Sequence, residues 1–405
     1  MERSKDRSTA RTGIPALYFT CFVGLGVYFT YGNVFLRSKG VSVNEIGLLT
    51  SIYFASALIG QPIFGYLYDE LPGKSHLILT GCALAGGTFA AFIPLQDSSL
   101  IRALLMFSFS FFSSALLPLL DAEALRFSGA MGKSFQALRT WGSVGFLFAT
   151  VAGGVFMTVL PLSWSYYGLA ACLGIFTLLM VLFNATGLLP RYDTPVADTQ
   201  RRRIRLADVY EAFMSRPFLV LLGLTFCYRL VLTGPMNFLS MYLTGIGLGT
   251  QHVGVAYALT GVSEVAVLYV GDWLKRRASP DSLMVTAIFL AGLRWIVTAF
   301  THNVVLLLAI QCLHGVNFIL FYVTAVQRVD ESVKPHLLGL GQTVFGSVFY
   351  GLGPVVGAAI AGPAVSTMGY ASYFVWCSIG SFALTGLYIL YLVVARRLQG
   401  RFDTL

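Results

Sequence analysis

Charged residues are scarce in this chain of 405 residues, at 11% of the total, whereas hydrophobic residues make up 56%. The mean hydropathy is +0.75. A soluble domain typically carries about a quarter of its residues as charged ones, so this composition excludes a soluble globular protein of this length. Cysteine pairs and His/Cys clusters are also lacking, because the six cysteines are scattered singly through apolar stretches. We therefore expect neither disulfides nor a structural metal site.

Long apolar stretches dominate the chain instead. A spanning helix needs about 20 mostly apolar residues, and twelve such stretches are present, near 14–37, 44–68, 75–94, 99–125, 134–160, 164–188, 216–244, 251–274, 282–301, 303–327, 336–362 and 370–395. Six lie on each side of one polar segment. This layout predicts an all-α membrane protein with twelve transmembrane helices in two pseudo-symmetric six-helix bundles, 1–188 and 216–405, joined by a cytoplasmic linker at 189–215.

The distribution of basic residues predicts the orientation in the membrane. Short cytoplasmic loops are enriched in Lys and Arg, and 21 of the 27 basic residues fall on the side that holds both termini. The opposite side has only Arg37, Lys39 and Arg102. We therefore predict a multi-pass protein of the plasma (inner) membrane with both termini in the cytoplasm. The net charge of +9 then indicates contact with anionic lipids and not with nucleic acid.

Six ionisable residues lie within otherwise apolar stretches: Asp121, Arg139, Arg229, Glu264, Arg294 and His314. Insertion of a charged side chain at the bilayer centre costs roughly 3 kcal/mol of free energy on insertion scales. Such residues therefore occur where they face a partner or a water-filled cavity. They indicate a pathway through the membrane, lined from both bundles. With His314 neutral, three of these groups are positive and two are negative, which favours an anionic substrate.

Asp121 and Arg139 are predicted to lie at one depth, roughly 8 Å inside the cytoplasmic ends of the fourth and fifth spans. They either bind substrate, with the carboxylate accepting from hydroxyls and the guanidinium clamping an oxygen, or form a bridge that only pins two helices. Phe146 lies two turns from Arg139 and either stacks on a substrate ring or packs between helices. Asn237 on the seventh span is a further candidate for substrate binding.

Arg229, Glu264, Arg294 and His314 are all predicted to lie near the bilayer midplane. The functional interpretation is a titrating cluster in which Glu264 or His314 takes up and releases a proton. The alternative is a set of interhelical bridges without a role in transport. Other polar residues within spans either line the path or form hydrogen bonds between helices: Asn33, Gln61, Asn237, Gln311, Asn317 and Gln342.

One sequence pattern recurs in the two halves. Gly65, Asp69, Gly73 and Lys74 follow the second span, and Gly271, Asp272 and a basic run follow the eighth. Such internal repetition is typical of transporters built from related bundles. The first copy resembles the glycine, acid, glycine and base signature of the major facilitator superfamily, with Glu70 where a base is usual. The resemblance implies that the acid helps to hold a gate.

The charged spans resemble one branch of that superfamily. Asp121 and Arg139 are similar to the charged pair of the lactose permease branch. The sequence motif of phenylpropionate-type transporters is similar to the run Arg139, Trp141, Gly142, Gly145 and Phe146. Glu264, Arg294 and His314 resemble the residues which that branch uses for proton coupling. The chain departs from the branch at Asn317, where its proton-carrying glutamate is expected, and at Arg229, where an aspartate is expected.

These observations predict a monomeric secondary transporter that moves a small organic solute with protons by alternating access, with no cofactor besides the coupling proton. A carboxylate, a sugar and a nucleoside stay open as substrates. A proton-driven exporter or an uncoupled facilitator of the same fold is the alternative. An intramembrane enzyme is a remote third possibility, because His314 has no second ligand or acid one helical turn away on its own helix.

Overall fold

The computed structural model describes residues 2–71, 73–131, 134–186, 216–334 and 337–402. All regular elements in these ranges are helices. The α-helices are α1 (Glu2–Ser38), α2 (Val43–Glu70), α3 (Ser75–Phe92), α4 (Ser99–Ser113), α5 (Leu116–Met131), α6 (Phe135–Phe156), α7 (Trp164–Ala185), α8 (Arg216–Gly245), α9 (Thr250–Arg277), α10 (Pro280–Phe300), α11 (Val304–Ala309), α12 (Phe321–Ser332), α13 (Leu338–Gly346), α14 (Gly353–Met368) and α15 (Tyr370–Phe402). The predicted linker lies outside the described residues.

The predicted all-α membrane fold is confirmed. Within the described ranges, eleven helical stretches are long and apolar enough to cross a membrane. In the numbering of the twelve predicted spans, the fourth joins α4 to α5, the tenth runs from α11 to α12, and the eleventh runs from α13 to α14. The predicted fifth span is α6, which has 22 residues. It is less apolar than the others because Gln136 and Arg139 lie in its first turns.

Several helices begin at a residue that satisfies their free backbone donors. The Ser42 hydroxyl accepts from the Glu45 N–H at 3.1 Å before α2, and the Ser279 hydroxyl accepts from the Ser282 N–H at 3.3 Å before α10. The Asn303 side chain accepts from the Leu306 N–H at 3.0 Å before α11. Each cap satisfies one of the backbone N–H groups that the first helical turn leaves free, and it marks where the helix starts.

The chain forms two compact units, Met1–Arg202 with Ser240–Ala258, and Arg203–Leu239 with Leu259–Leu405. The first and seventh spans end in the same way. After α1, Gly40 has φ +83° and the Val41 N–H donates to the Leu36 carbonyl at 3.1 Å. After α8, Gly247 has φ +90° and the Leu248 N–H donates to the Leu243 carbonyl at 3.0 Å. Both ends are Schellman motifs, which require glycine.

Glycines bring corresponding pairs of spans close together in the two units. In the first, a Cβ on Gly145 of α6 would lie 2.5 Å from the Phe19 carbonyl oxygen of α1. In the second, a Cβ on Gly353 of α14 would lie 2.5 Å from the Cβ of Arg229 on α8. Small residues at such crossings let helices approach in a membrane, where van der Waals packing drives association.

The tenth and eleventh spans are not regular. The tenth contains a 3₁₀ turn, Ile310–Leu313, followed by a π-helical turn, Val316–Leu320. The eleventh contains a π-helical turn, Ser347–Leu352, directly before Gly353 and Pro354. Single π-helical turns are frequent at functional sites, and these two lie beside the charged residues of the second unit.

Candidate functional site

The first unit brings together Asp121, Arg139 and Tyr18. Arg139 Nη1 lies 3.1 Å from Asp121 Oδ2, and the Tyr18 hydroxyl donates to Asp121 Oδ1 at 2.5 Å. The side chains of Asp121 and Arg139 keep 22% and 45% of their surface accessible. Both oxygens of the carboxylate are engaged, yet the pair stays partly accessible. The guanidinium has further N–H groups to donate.

Tyr18 was not identified from the sequence. It lies on α1 among other aromatic residues and differs from them in no visible way. Its partner is separated from it by 103 positions, so only the packing of α1 against α5 and α6 reveals the contact. Phe146 packs against α1 beside Gly26. The amide of Asn237 donates to the Thr233 carbonyl of its own helix at 2.9 Å.

The second unit contains a continuous chain of buried polar groups. Glu264 Oε1 lies 3.0 Å from His314 Nε2, and His314 Nδ1 lies 2.7 Å from Arg294 Nη1. Arg294 also donates from Nε and Nη2 to Gln311 Oε1, at 3.0 and 2.7 Å. Arg294 and Gln311 are fully buried, and His314 is 3% exposed. Glu264 is the accessible end, with 34% of its side chain exposed.

The partners of His314 fix its tautomer. Arginine can only donate hydrogen bonds, so Nδ1 of His314 must accept from Arg294. The proton of a neutral imidazole then resides on Nε2 and is donated to the Glu264 carboxylate. The arrangement is therefore an arginine, a neutral histidine and a glutamate in series, in which each hydrogen bond is donated toward Glu264. A proton added to Glu264 would remove the charge that His314 and Arg294 face.

A close backbone approach places His314 beside Glu264. A Cβ on Gly315 would lie 2.1 Å from the Ser263 carbonyl oxygen, so only glycine fits. The Gly315 N–H donates to the Ser263 hydroxyl at 2.9 Å. Because Ser263 and Gly315 directly adjoin Glu264 and His314, this crossing of α9 and the tenth span sets the distance between the two titratable side chains.

Arg229 lies outside this chain of hydrogen bonds. Its guanidinium carbon is 5.3 Å from the ring centroid of Phe318 and 4.8 Å from that of Phe349. Its neighbour Tyr228 donates to the Asn317 carbonyl at 2.6 Å. The predicted midplane group of four thus divides into a bonded set of three and a separate arginine.

The repeated motif after the second and eighth spans is only partly described. Asp69 is exposed at the end of α2, and the described residues offer it no ion pair. Three residues separate it from Gly73. Gly73 has φ +81°, and Lys74 is exposed before α3. Gly65 has open space around its Cα. The side chain of Asp272 lies outside the described part.

Tyr68, next to Asp69, makes the contacts at this position. It is buried and donates to Glu123 Oε1 at 2.9 Å, while Arg126 lies over its ring at 4.7 Å. These bonds join α2 to α5 in the first unit. We find no group of three or more metal-ligating side chains in the part of the chain that the structure describes.

Comparisons with known proteins agree on one family. A family model described as "MFS_1 like family" matches residues 12–376. The maltose permease of Geobacillus stearothermophilus is 25% identical over 394 residues, covering 95% of each chain. The "Probable 3-phenylpropionic acid transporter" of Escherichia coli K12 is 23% identical over 361 residues, covering 88% of this chain and 92% of that protein.

The fold is shared with solved transporters. The crystal structure of nucleoside transporter NupG has a TM-score of 0.83 at 18% identity, covering 94% of this chain and 98% of that chain. These relatives and structural neighbours are transporters and not enzymes. The predicted superfamily is confirmed, and the chain belongs to the MFS_1-like family of major facilitator superfamily transporters.

Proposed function

We propose that the protein takes up a small organic solute together with protons by alternating access. The observation that carries this proposal is the series Glu264, His314 and Arg294, with gaps of 3.0 and 2.7 Å, in which Glu264 is accessible and the other two are buried. The carboxylate of Glu264 contacts the imidazole of His314, which in turn contacts the permanently charged guanidinium of Arg294. One added proton therefore changes the net charge of this site. Coupling requires such a change to occur inside the transport pathway.

The proton acts through the hydrogen bonds of His314. While Glu264 is ionised, it accepts from His314 Nε2 and balances the charge of Arg294. A proton on Glu264 weakens that bond, and the charge of Arg294 is then no longer balanced by an acid in the series. Other hydrogen-bond partners then become favourable for His314 and Arg294. The conformation that offers those partners is stabilised relative to the other.

Solute binding is assigned to Asp121, Arg139 and Tyr18 in the first unit, with Phe146 and Asn237 as further candidates, and to Arg229 in the second. Among related proteins, one is named a maltose permease, one a 3-phenylpropionic acid transporter and one a nucleoside transporter. Hydroxyl-rich solutes suit the carboxylate of Asp121, and acidic solutes suit the arginines. The proposal also includes motion of the predicted gate. This gate is formed by Gly65, Asp69, Gly73, Lys74 and Asp272.

The test is uptake into proteoliposomes that contain the purified protein. Radiolabelled maltose, 3-phenylpropionate and uridine serve as probes, with a pH gradient that is acidic outside. Uptake of the accepted probe should collapse with a protonophore, and Glu264→Gln should lose uphill uptake while it retains counterflow. Glu123→Gln is the matched control, because this buried acid bonds Tyr68 away from the series, and its uptake should stay coupled.

Two outcomes decide against uptake together with protons. Uptake that neither a protonophore nor Glu264→Gln alters indicates an uncoupled facilitator. Accumulation only when the gradient is alkaline outside indicates an exporter driven by protons. Loss of both counterflow and uptake in Glu264→Gln would place Glu264 in solute binding and not in coupling.

The same proposal includes the topology. We infer a monomer in the plasma (inner) membrane with both termini cytoplasmic, because basic residues cluster on that side, as in Lys275, Arg276 and Arg277 at the end of α9. A fluorescent protein fused after Leu405 should fold and fluoresce in cells. Alkaline phosphatase should be active only when it is fused in the opposite loops, such as at Gly247. Activity of phosphatase at the C-terminus contradicts this orientation.

A further inference from the structure

Arg229 is a buried cation without a counter-ion in the described chain. It is 7% exposed, and its Nε is buried without a hydrogen-bond partner. Across the described residues, no salt bridge or hydrogen bond involves its side chain. The contrast with Arg294 is direct, because that equally buried arginine has Gln311 and His314 as partners. An uncompensated buried charge is strongly unfavourable, so its retention requires an explanation.

The two π-helical turns surround this guanidinium. Phe318 belongs to the turn Val316–Leu320 and Phe349 to the turn Ser347–Leu352, and both rings lie within 5.3 Å of the guanidinium carbon. On the third side, Gly353 approaches the Arg229 side chain so closely that a Cβ there would lie 2.5 Å from it. Aromatic faces hold a cation in place and exclude water, but they do not neutralise its charge.

A second buried polar side chain, on the residue that precedes Phe318, also has no partner. Asn317 adjoins Phe318 in the π-helical turn and is fully buried. Both its amide nitrogen and its amide oxygen are buried without a hydrogen bond. Its carbonyl is held by the hydroxyl of Tyr228, the residue next to Arg229. A buried amide without hydrogen bonds is destabilising, so this amide and the unpaired guanidinium of Arg229 together indicate a binding site.

We propose that the anionic group of the transported solute supplies both missing partners, so that the substrate is an organic anion with a carboxylate group. This rests on the proposed function as a solute transporter and narrows its substrate class. The guanidinium fork donates to the carboxylate, and the Asn317 amide nitrogen donates to the same group. Arginine cannot be neutralised by losing its proton, so a bound anion is the remaining way to balance the charge.

The first experiment measures thermal unfolding of the full-length protein in lipid nanodiscs. The probes are benzoate and 3-phenylpropionate, their neutral amides benzamide and 3-phenylpropionamide, and maltose, uridine and sodium chloride. At least one carboxylate should raise the unfolding temperature saturably, by about 2 °C or more, with no effect of its amide. Arg229→Gln should abolish that shift, and Asn317→Ala should weaken the apparent affinity about tenfold.

The second experiment measures thermal unfolding without any added anion. It detects the destabilisation that the unpaired charge of Arg229 causes. Arg229→Gln should unfold at a higher temperature than the wild type, because an uncompensated charge is removed. Arg294→Gln is the matched control and should unfold at a lower temperature, because it breaks a bonded network. Arg229→Lys keeps the charge but loses the planar fork, and it should retain folding while its carboxylate shift is reduced.

Three results would overturn the proposal. One is a panel in which no carboxylate stabilises the wild type more than its amide. Another is stabilisation by chloride alone, which would make Arg229 an inorganic anion site. The third is stabilisation by maltose or uridine that survives Arg229→Gln. None of these results bears on protons, and loss of coupling in Glu264→Gln bears only on the proposed function, so the two proposals fail separately.

Discussion

At the scale of single residues, the two clusters differ in how well solvent reaches them. The side chains of Asp121 and Arg139 are 22% and 45% exposed, whereas Arg294 is fully buried. An exposed ion pair typically contributes about 0 to 1 kcal/mol to stability. The Asp121 and Arg139 pair is therefore weak as a structural bridge, and this favours its role in solute binding over the role of pinning two helices.

A double-mutant cycle tests this interpretation. Asp121→Asn, Arg139→Gln and their combination should show a coupling energy for unfolding below about 1 kcal/mol, since the pair is partly solvated. Each single variant should nevertheless lower solute uptake about tenfold or more, equivalent to about 1.4 kcal/mol. Thermal unfolding and uptake are measured on the same preparations. A large coupling energy with normal uptake would assign the pair to structure alone.

Residue spacing alone predicted part of the two clusters. The matching depths of Asp121 and Arg139 anticipated an ion pair, which the structure has at 3.1 Å. The common depth of Glu264, Arg294 and His314 anticipated their grouping. Depth could not separate Arg229 from them, because the rotation of each helix about its axis decides which side chains meet. Tyr18 could not be identified for the same reason.

At the scale of helices, Gly315 determines the geometry of the series Glu264, His314 and Arg294. Gly315→Ala would place a Cβ 2.1 Å from the Ser263 carbonyl oxygen, which forces the tenth span away from α9. We expect a loss of stability of about 1 to 3 kcal/mol from overpacking and a marked loss of uphill uptake. Gly386→Ala on α15 is the matched control, since a Cβ there meets no atom within 4 Å. Equal behaviour of the two variants would contradict the crossing.

Pro354 explains why the eleventh span contains a π-helical turn. A proline lacks the N–H that would bond four residues back, and its ring clashes with that carbonyl. Here that carbonyl belongs to Tyr350, inside the turn Ser347–Leu352. The sequence shows a proline at this position. It could not indicate that the disruption takes the form of a wider turn that carries Phe349 to Arg229.

Replacement of this proline tests the connection between the turn and Arg229. Pro354→Ala restores the N–H and should favour a regular α-helix over 347–352, which moves Phe349 away from the guanidinium. Hydrogen exchange in that segment should slow, and the stabilisation by carboxylates should weaken. Pro363→Ala in α14 is the control, because the helix is regular there. Unchanged exchange and unchanged anion binding would show that the proline does not maintain the turn.

At the scale of the whole molecule, the repeat is visible in local structure. The first and seventh spans end in the same glycine motif, and the first pairs closely with the fifth as the seventh does with the eleventh. Apolar length alone predicted all of these spans, including the less apolar α6. The polar groups do not repeat: the first unit has an acid, a base and a tyrosine, while the second has the titratable series and an isolated arginine.

The separate positions of Arg229 and Glu264 predict how much net charge one transport cycle moves across the membrane. If Arg229 binds a monovalent carboxylate and Glu264 carries one proton, the loaded protein moves no net charge. A pH gradient should then drive uptake, whereas a membrane potential alone should not. A neutral solute moved with one proton would respond to potential, because 100 mV acts on one charge with about 2.3 kcal/mol, which equals roughly 40-fold accumulation.

Proteoliposomes separate these two cases. Potassium gradients with valinomycin set a potential without a pH difference, and buffer gradients set the reverse. For the carboxylate that stabilises the protein, accumulation should follow the pH difference and stay near its starting level when 100 mV, negative inside, is applied. Potential-driven accumulation of that carboxylate would require a second proton for each anion. Since the described part of the second unit places one acid, Glu264, in contact with a buried imidazole, the electroneutral cycle is the one that its chemistry supports.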